Sequence, residues 1–386
     1  MVQQNVQQAI SERMAAGWKP THSSEASEYL KAYLKDADNS EMKTDRLVKQ
    51  RCDLSHTDMH TIINDRSIGS RFFEILADFM HPSPEHSIYI SPMYGEFHGQ
   101  KNIREWLIPT MQQAGSYAFD ARCPARFFDD GEGGTSVDEW QLTSYQDGKW
   151  KPLVSGISIR KFRDGWITYA SDHFNTLPSR MAAQAKGKAM PLLPEFKSLK
   201  RYTGPMPELS PHAREVFEQR ETVWKQAAAK RNSIPTFVDS NLTNRELFEL
   251  AYNEVGHRWE LVGDVMHPTD SEYHDPIFGV ISGQDNIRAW MIDIMGKAGN
   301  VMFEPLGPPL FDGETSFEET RQMAIQPNGE KVFMVRGASI RRYLNGYAVY
   351  AQDYFDVAPM LDPAVHAASL AAGSVITPAD IEKYRN

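Results

Sequence analysis

Val154 to Phe174, VSGISIRKFRDGWITYASDHF, returns as VRGASIRRYLNGYAVYAQDYF from Val335 to Phe355. Each copy is two nearly alternating runs joined by Asp164-Gly165 or Asn345-Gly346, dipeptides that supply the positive-φ positions of a tight hairpin. A strand that alternates buries one face and leaves the other to a different environment. The same pair of strands therefore closes two domains. Working outward, Gly99–Trp106, GQKNIREW, recurs as GQDNIRAW over Gly283–Trp290, and Tyr89–Gly95, YISPMYG, recurs as YHDPIFG over Tyr273–Gly279. Met80-His81-Pro82 recurs as Met266-His267-Pro268. The spacing between partners falls only from 186 at Met80 and Met266 to 181 at Val154 and Val335. Four matches in one order are the mark of a duplicated unit.

Both copies share a rhythm. Asn244 to Met266 places apolar residues at helical spacing, with Asn241 or Thr243 available as a cap. The matching segment from Ser55 to Met80 is interrupted by Gly69. A strand through Tyr89 or Tyr273 follows, then a short amphipathic helix. Ile103, Trp106 and Leu107 share one face of it, as do Ile287, Trp290 and Met291. Antiparallel strands come last, punctuated by Asp147-Gly148 in one copy and by Asp312-Gly313 and Asn328-Gly329 in the other. The fold class expected is α+β, helices followed by a curved antiparallel sheet, in units of roughly 120 to 130 residues.

The domains expected are 55–180 and 241–360. Residues 1–54 read as a helical extension, with Ser23 or Ser24 ahead of SEYLKAYL. Residues 181–240 read as a connector containing one helix, PHAREVFEQRETVWKQAAAK, begun by Ser210-Pro211. Its Phe217 and Trp224 imply packing on a domain. Residues 361–386 form a tail in which Thr377 caps a last short helix. His81 and His267 are expected to close the helices they follow, where a partly positive side chain is favoured.

Composition bounds the function. The 386 residues carry 41 basic and 51 acidic side chains, a formal charge of −10, and 41% hydrophobic residues. That is a soluble globular balance without the positive field that nucleic acid or an anionic membrane requires. Cys52 and Cys123 are too few for a disulfide or zinc–cysteine scaffold. The first thirty residues hold no apolar signal-like segment, and the cytoplasm is the expected compartment. The sequence contains no HExxH, no GxxxxGK[ST], no GxGxxG after a strand and no GxSxG. No metal or other cofactor is therefore expected.

Together the YISPMYG and YHDPIFG segments, the GQKNI and GQDNI segments, and the closing GISIRKFRDG and GASIRRYLNG strands resemble the NTF2-like superfamily, and its SnoaL-like branch in particular. The resemblance implies two tandem cone-shaped domains, each with helices cupping a curved sheet around an apolar pocket. It also implies a cofactor-independent enzyme or a ligand-binding protein, with some members forming dimers. Among relatives in that superfamily are bacterial lignin-dimer γ-formaldehyde lyases. The expected function is thus a lyase moving a proton on a small apolar aromatic substrate, releasing formaldehyde from a diarylpropane or phenylcoumaran. A polyketide- or steroid-type isomerase, cyclase or dehydratase, or a plain small-molecule carrier, stays open.

The residues that could carry such chemistry are ionisable groups near an apolar space. The resemblance points to Asp172 and Asp353, on a late strand, as bases; His173 and Tyr354 are their neighbours and face the other way on a regular strand. Tyr94, Lys101, Arg104 and Glu139 complete the catalytic candidates, since an inward Lys or Arg could hold a phenolate or developing enolate. Tyr89, His98, Trp106, Arg122 and Trp140 are substrate-binding candidates. In the second copy the candidates are Tyr273, His274, Asp275, Arg288, Glu319, Asp353 and Tyr354. Tyr94 becomes Phe278 and His98 becomes Ser282, so the first copy is expected to be the better equipped and the second to have a degenerate pocket.

Overall fold

At both diagnostic hairpins the two turn residues sit at positive φ: 51° and 74° at Asp164 and Gly165, 51° and 78° at Asn345 and Gly346. This is the primed turn whose twist suits flanking strands. The computed structural model describes residues 18–35, 53–68, 71–113, 117–146, 148–185, 187, 196, 198–226, 241–253 and 259–385. Cys52, Gly69 and Asp147 lie outside them, as does the side chain of Trp224. The chain divides into two compact units, Met1–Phe174 with Pro178–Met190, and Asn175–Leu177 with Pro191–Asn386.

In the first unit α1 (Ser24–Lys35), α2 (His56–Ile63) and α3 (Arg71–Phe79) precede β1 (Ile88–Ser91) and β2 (Gly95–His98). Then come α4 (Gln100–Gln113), β3 (Tyr117–Ala121), β4 (Arg126–Phe128), β5 (Gly133–Gln146), β6 (Lys149–Arg163), β7 (Trp166–Phe174) and α5 (Leu177–Ala185). The second unit repeats this with α6 (Pro211–Gln226), α7 (Asn244–Tyr252), α8 (Trp259–Asp264), β8 (Glu272–Asp275), β9 (Gly279–Ser282) and α9 (Gln284–Lys297). It continues through β10 (Val301–Pro305), β11 (Leu310–Phe311), β12 (Thr315–Ile325), β13 (Lys331–Leu344) and β14 (Tyr347–Phe355) to α10 (Pro363–Ala371) and α11 (Pro378–Tyr384).

Each unit holds a seven-stranded sheet, ordered β2-β1-β7-β6-β5-β3 and β9-β8-β14-β13-β12-β10, with β4 and β11 as side pairs. The expected all-antiparallel sheet needs one correction per unit. β1 runs parallel to β7, and β8 runs parallel to β14. The chain leaves the preceding helix already aligned with the last strand, because Met80 bridges Ile167 and Met266 bridges Ala348 in parallel. Both sheets are therefore mixed. The register slips at matched places, between Leu142 and Thr143 or Gln322 and Met323, and between Lys161 and Phe162 or Arg342 and Tyr343.

The helices are built from local rules. Ser55 and Asp58 form a capping box for α2, and Thr243 and Glu246 form one for α7. The hydroxyl that starts the preceding helix then ties into that box: Ser23 donates to Asp58 (2.6 Å), and Ser210 to Glu246 (3.2 Å). α1 buries Tyr29, Leu30 and Tyr33 in the first core, and α6 buries Ala213, Val216 and Phe217 in the second. Tyr33 donates to Asp78, which also pairs with Arg104. At the matching point Asp264, fully buried, pairs with Arg220 (2.7 Å) and Arg288 (2.8 Å). Where one helix was expected over Asn244–Met266, α7 and α8 are separate.

His81 and His267 close turns rather than helix ends. Nδ1 of His81 accepts from the backbone N–H of Ser83 (3.1 Å), and Nδ1 of His267 from that of Asp270 (3.0 Å). Each ring accepts from the backbone of the segment that follows it. No described helix is long and apolar enough to cross a membrane.

Candidate functional site

On β7 the alternation sends Asp172 to one face and Ser171 and His173 to the other. The Asp172 face opens on a cavity of about 620 Å³ contained in the first unit. Phe72, Phe73, Trp106, Leu107, Phe119 and Trp140 form apolar walls, supplied by α3, α4, β3 and β5. Tyr94, Tyr117 and Leu153 line it as well, and at 40–47% exposure they mark its mouth. Its other end is polar: Arg66, Tyr89, Ser158 and Arg160 are buried there and Asp172 is half-buried.

Asp172 is the hub of that end. Tyr89 donates to its Oδ2 (2.6 Å), while Ser158 (2.7 Å) and Arg160 (3.0 Å) donate to Oδ1. Trp140 Nε1 donates to Ser158 Oγ (2.9 Å), which turns the serine proton toward the carboxylate. A Cβ added at Gly156 would lie 2.3 Å from the Trp140 ring, so a glycine there makes room for the indole. Arg160 spends Nη1 on the carbonyls of Ile159 and Ser171. Burial pushes the Tyr89 phenol well above its usual range, and the Asp172 charge adds to this. Burial pulls the Arg160 guanidinium down, but Tyr89 and Asp172 outweigh it and the net shift is upward. Burial, then Tyr117, raises Tyr94. A neutral phenol and a fixed cation thus flank one carboxylate at the end of an apolar space.

Five expected residues meet at the cavity: Asp172, Tyr89, Tyr94, Trp106 and Trp140. The others do not. The Lys101 side chain is 81% exposed and faces Glu105 across a helical turn. Arg104 is spent on Asp78. His98 lies beside Glu96 (3.5 Å), and Arg122 is exposed. Glu139 points away from its neighbours Asp138 and Trp140 and accepts from the Cys123 thiol (3.1 Å). His173 is buried, with Nε2 3.1 Å from Ser171 Oγ. Lys101 and Arg104 miss because Ile103 and Leu107, both almost fully buried, set the rotation of α4.

The second unit reproduces part of the arrangement. Tyr273 (2.7 Å) and Ser339 (2.6 Å) donate to Asp353. Arg341, the counterpart of Arg160, turns to the Tyr252 hydroxyl and Glu318 instead. Asp275 accepts from the N–H groups of Ile277 (2.7 Å) and Phe278 (3.0 Å), and burial together with the Asp353 charge pushes its carboxyl up to about 7. His274 pairs with Glu272, Arg288 with Asp264, and Glu319 faces Arg336 at 3.6 Å. Tyr354 is buried on the face opposite Asp353. Among the described residues no group of three or more His, Cys, Asp and Glu could hold a metal.

Arg66, Ser158 and Arg160 were not anticipated. Ser158 and Arg160 belong to the repeated Ser-Ile-Arg of the closing strands, a signal that was there to be used. Arg66 sits in a single 3₁₀ turn, Arg66–Ile68, with no periodicity to announce it.

No family model and no curated protein matches the sequence. Among solved structures the chain has weak, partial likenesses to NTF2-like and SnoaL-like proteins. One is a protein of ketosteroid isomerase-like fold from Catenulispora acidiphila (19% identity, 32% of this chain and 89% of that one, TM-score 0.24). Another is a SnoaL-like family protein from Agrobacterium tumefaciens (19%, 36% and 98%, TM-score 0.22). A third is an NTF2-like protein from Burkholderia pseudomallei (16%, 39% and 96%, TM-score 0.23). Scores of this size do not extend to a shared chemistry.

Proposed function

We propose that the first unit binds a small apolar aromatic molecule and acts on it by proton transfer, as a lyase without a redox cofactor. The reaction proposed is release of formaldehyde from the γ-carbinol of a lignin-derived diarylpropane or phenylcoumaran. One observation carries this reading: a carboxylate, a phenol held neutral, a hydroxyl and a guanidinium converge at one end of a cavity whose walls are otherwise aromatic and aliphatic.

In the proposed step Asp172 takes the γ-hydroxyl proton, the Cβ–Cγ bond breaks, and Cγ leaves as formaldehyde. The para-hydroxylated ring first expels the Cα oxygen, as water from a diarylpropane or as the ring-opened phenol of a phenylcoumaran. Its own phenolic proton goes to the departing oxygen, and the ring so becomes a quinone methide. The Cβ–Cγ bonding pair then forms the Cα–Cβ double bond and the quinone-methide oxygen becomes a phenolate. Atoms and electrons balance without an oxidant. Once Asp172 carries the proton, the Tyr89 hydroxyl is released to donate to a substrate oxygen. The second unit, whose Arg341 engages Tyr252 and Glu318 rather than Asp353, is assigned a supporting role.

The test is incubation of the full chain with a diarylpropane and no added cofactor, followed by formaldehyde and product analysis. Formaldehyde in step with substrate loss, abolished by Asp172→Asn, is the expected result. Conversion to an isomer or a dehydrated product without formaldehyde would replace the lyase by the isomerase or dehydratase alternative. Binding without turnover would make the protein a carrier.

A further inference from the structure

We infer that Arg66 is the anion-holding group of the cavity and that the ligand presents a phenolate oxygen to it. This rests on the cavity reading above and names the chemistry of the molecule that fills it.

Arg66 lines the cavity and is only 4% exposed. Its guanidinium is held from two sides: Nη2 donates to buried Asp138, and Cζ lies 4.0 Å from the centre of the Phe72 ring. Its Nε is buried and has no hydrogen-bond partner in the structure. Buried donors without acceptors are rare and costly, and this one belongs to a residue that lines the cavity, within a small side-chain shift of a ligand there.

Charge points the same way. Among the described residues the cavity is lined by two guanidiniums, Arg66 and Arg160, and by Asp172, while Asp138, the carboxylate that pairs with Arg66, stands behind the wall rather than in it. Arg160 is committed to two carbonyls and to Asp172, which leaves Arg66 as the cation with a spare donor. The Arg66 charge reaches the Tyr89 phenol, where it opposes the upward push, so it belongs to the polar end. Asp138 engages Nη2, and Nε is the buried nitrogen of Arg66 left without an acceptor. A single N–H suits an anion concentrated on one oxygen. Phe72, Phe73, Phe119 and Trp140 then suit an aromatic ring bearing that oxygen. In the lyase step this oxygen is where the bonding pair comes to rest.

The experiment uses two probes of one shape on the full chain, 4-nitrophenol and 4-nitroanisole, at a pH where free 4-nitrophenol is mostly un-ionised. The bound phenol is expected to show the phenolate absorbance band and to bind about ten- to a hundredfold tighter than the anisole, the span of one charge-assisted hydrogen bond. Arg66→Met should abolish both the band and the preference, 4-nitrophenol losing far more affinity than 4-nitroanisole. That variant strands Asp138, so Arg66→Gln combined with Asp138→Asn, checked by near-UV circular dichroism, is the second. Bound 4-nitrophenol that stays neutral, or a preference that survives in the folded double variant, overturns the inference alone. If neither probe binds, the cavity reading of the preceding subsection falls with it. Should both variants fail to fold, the wild-type spectrum still decides.

Discussion

The duplication supplies an internal control for the role of Tyr89. Tyr89 and Tyr273 are each 3% exposed and donate to the aspartate of their closing strand, at 2.6 and 2.7 Å. Tyr→Phe keeps the ring and its buried area, so the stability change reports chiefly the hydrogen bond to a charged acceptor, about 1.5–3 kcal/mol, although Tyr89 also gives up the longer bond it accepts from Arg160 Nη2 (3.4 Å). After Tyr89→Phe, Asp172 keeps Ser158 and Arg160; after Tyr273→Phe, Asp353 keeps Ser339 and still has Asp275 nearby. The second variant should therefore be the less stable, near 3 kcal/mol against about 1.5. Function should run the other way. Tyr89 lines the cavity, and losing its donor is expected to slow formaldehyde release about 10²–10³-fold, while Tyr273→Phe leaves it unchanged. Urea unfolding read by circular dichroism gives the first quantity and formaldehyde trapping the second. A Tyr89→Phe chain that turns over normally, or a folded Tyr273→Phe chain that has lost turnover, would refute the assignment of the working site to the first unit.

Other outcomes follow from single contacts. Gly156→Val puts a Cβ 2.3 Å from the Trp140 ring, and the expected loss is about 3 kcal/mol with an altered tryptophan emission spectrum as the indole leaves Ser158. Asp264→Ala leaves Arg220 and Arg288 buried without their counter-ion, and should destabilise the second unit by about 3–5 kcal/mol in chemical unfolding. Burial pulls His60 down to about 4. Its unfolded form binds a proton first, so this contribution is complete above pH 6.5 and is lost as pH falls from 6.5 towards 4, with a ceiling of about 3 kcal/mol. His60→Gln should flatten that acid limb in urea titrations. Asp275 has the opposite sign: raised to about 7, its contribution is complete below 3.8 and is lost as pH climbs through 7. Melting temperatures of Asp275→Asn should therefore fall less between pH 5 and 8 than those of the wild type.

Much of the site was legible in part. Period-2 alternation on β7 was enough to separate Asp172 from His173, and the same rule separates Glu139 from Trp140. It does not by itself pair strands. Counting back from the Asp164-Gly165 turn without interruption would place Ser158 opposite Ser171. The register slip between Lys161 and Phe162 moves it by one, so Ser158 lies opposite Asp172 and Arg160 opposite Ala170. Helix rotation was equally out of reach for Lys101 and Arg104, because a short amphipathic helix shows which face is apolar but not how far its polar edges reach into a neighbouring space. The matching places of α1 and α6 were hidden for a different reason. Tyr33 and Arg220 both reach the conserved-in-space aspartate by unlike side chains, and no sequence match joins the two helices.

The sequence by itself determined the duplicated α+β plan, the tight hairpins at Asp164-Gly165 and Asn345-Gly346, and the helix caps at Thr243 and Thr377. All of these depend on residues close along the chain or repeated at a nearly constant distance. Only the tertiary structure decided which charges face the cavity. Arg66 comes from a lone 3₁₀ turn, and the two copies of one arginine, Arg160 and Arg341, part ways because Tyr252 and Glu318 stand within reach of one where the other meets Asp172. A buried cation goes to the anions and dipoles that the packed core puts beside it, and that neighbourhood is made of segments far apart in sequence.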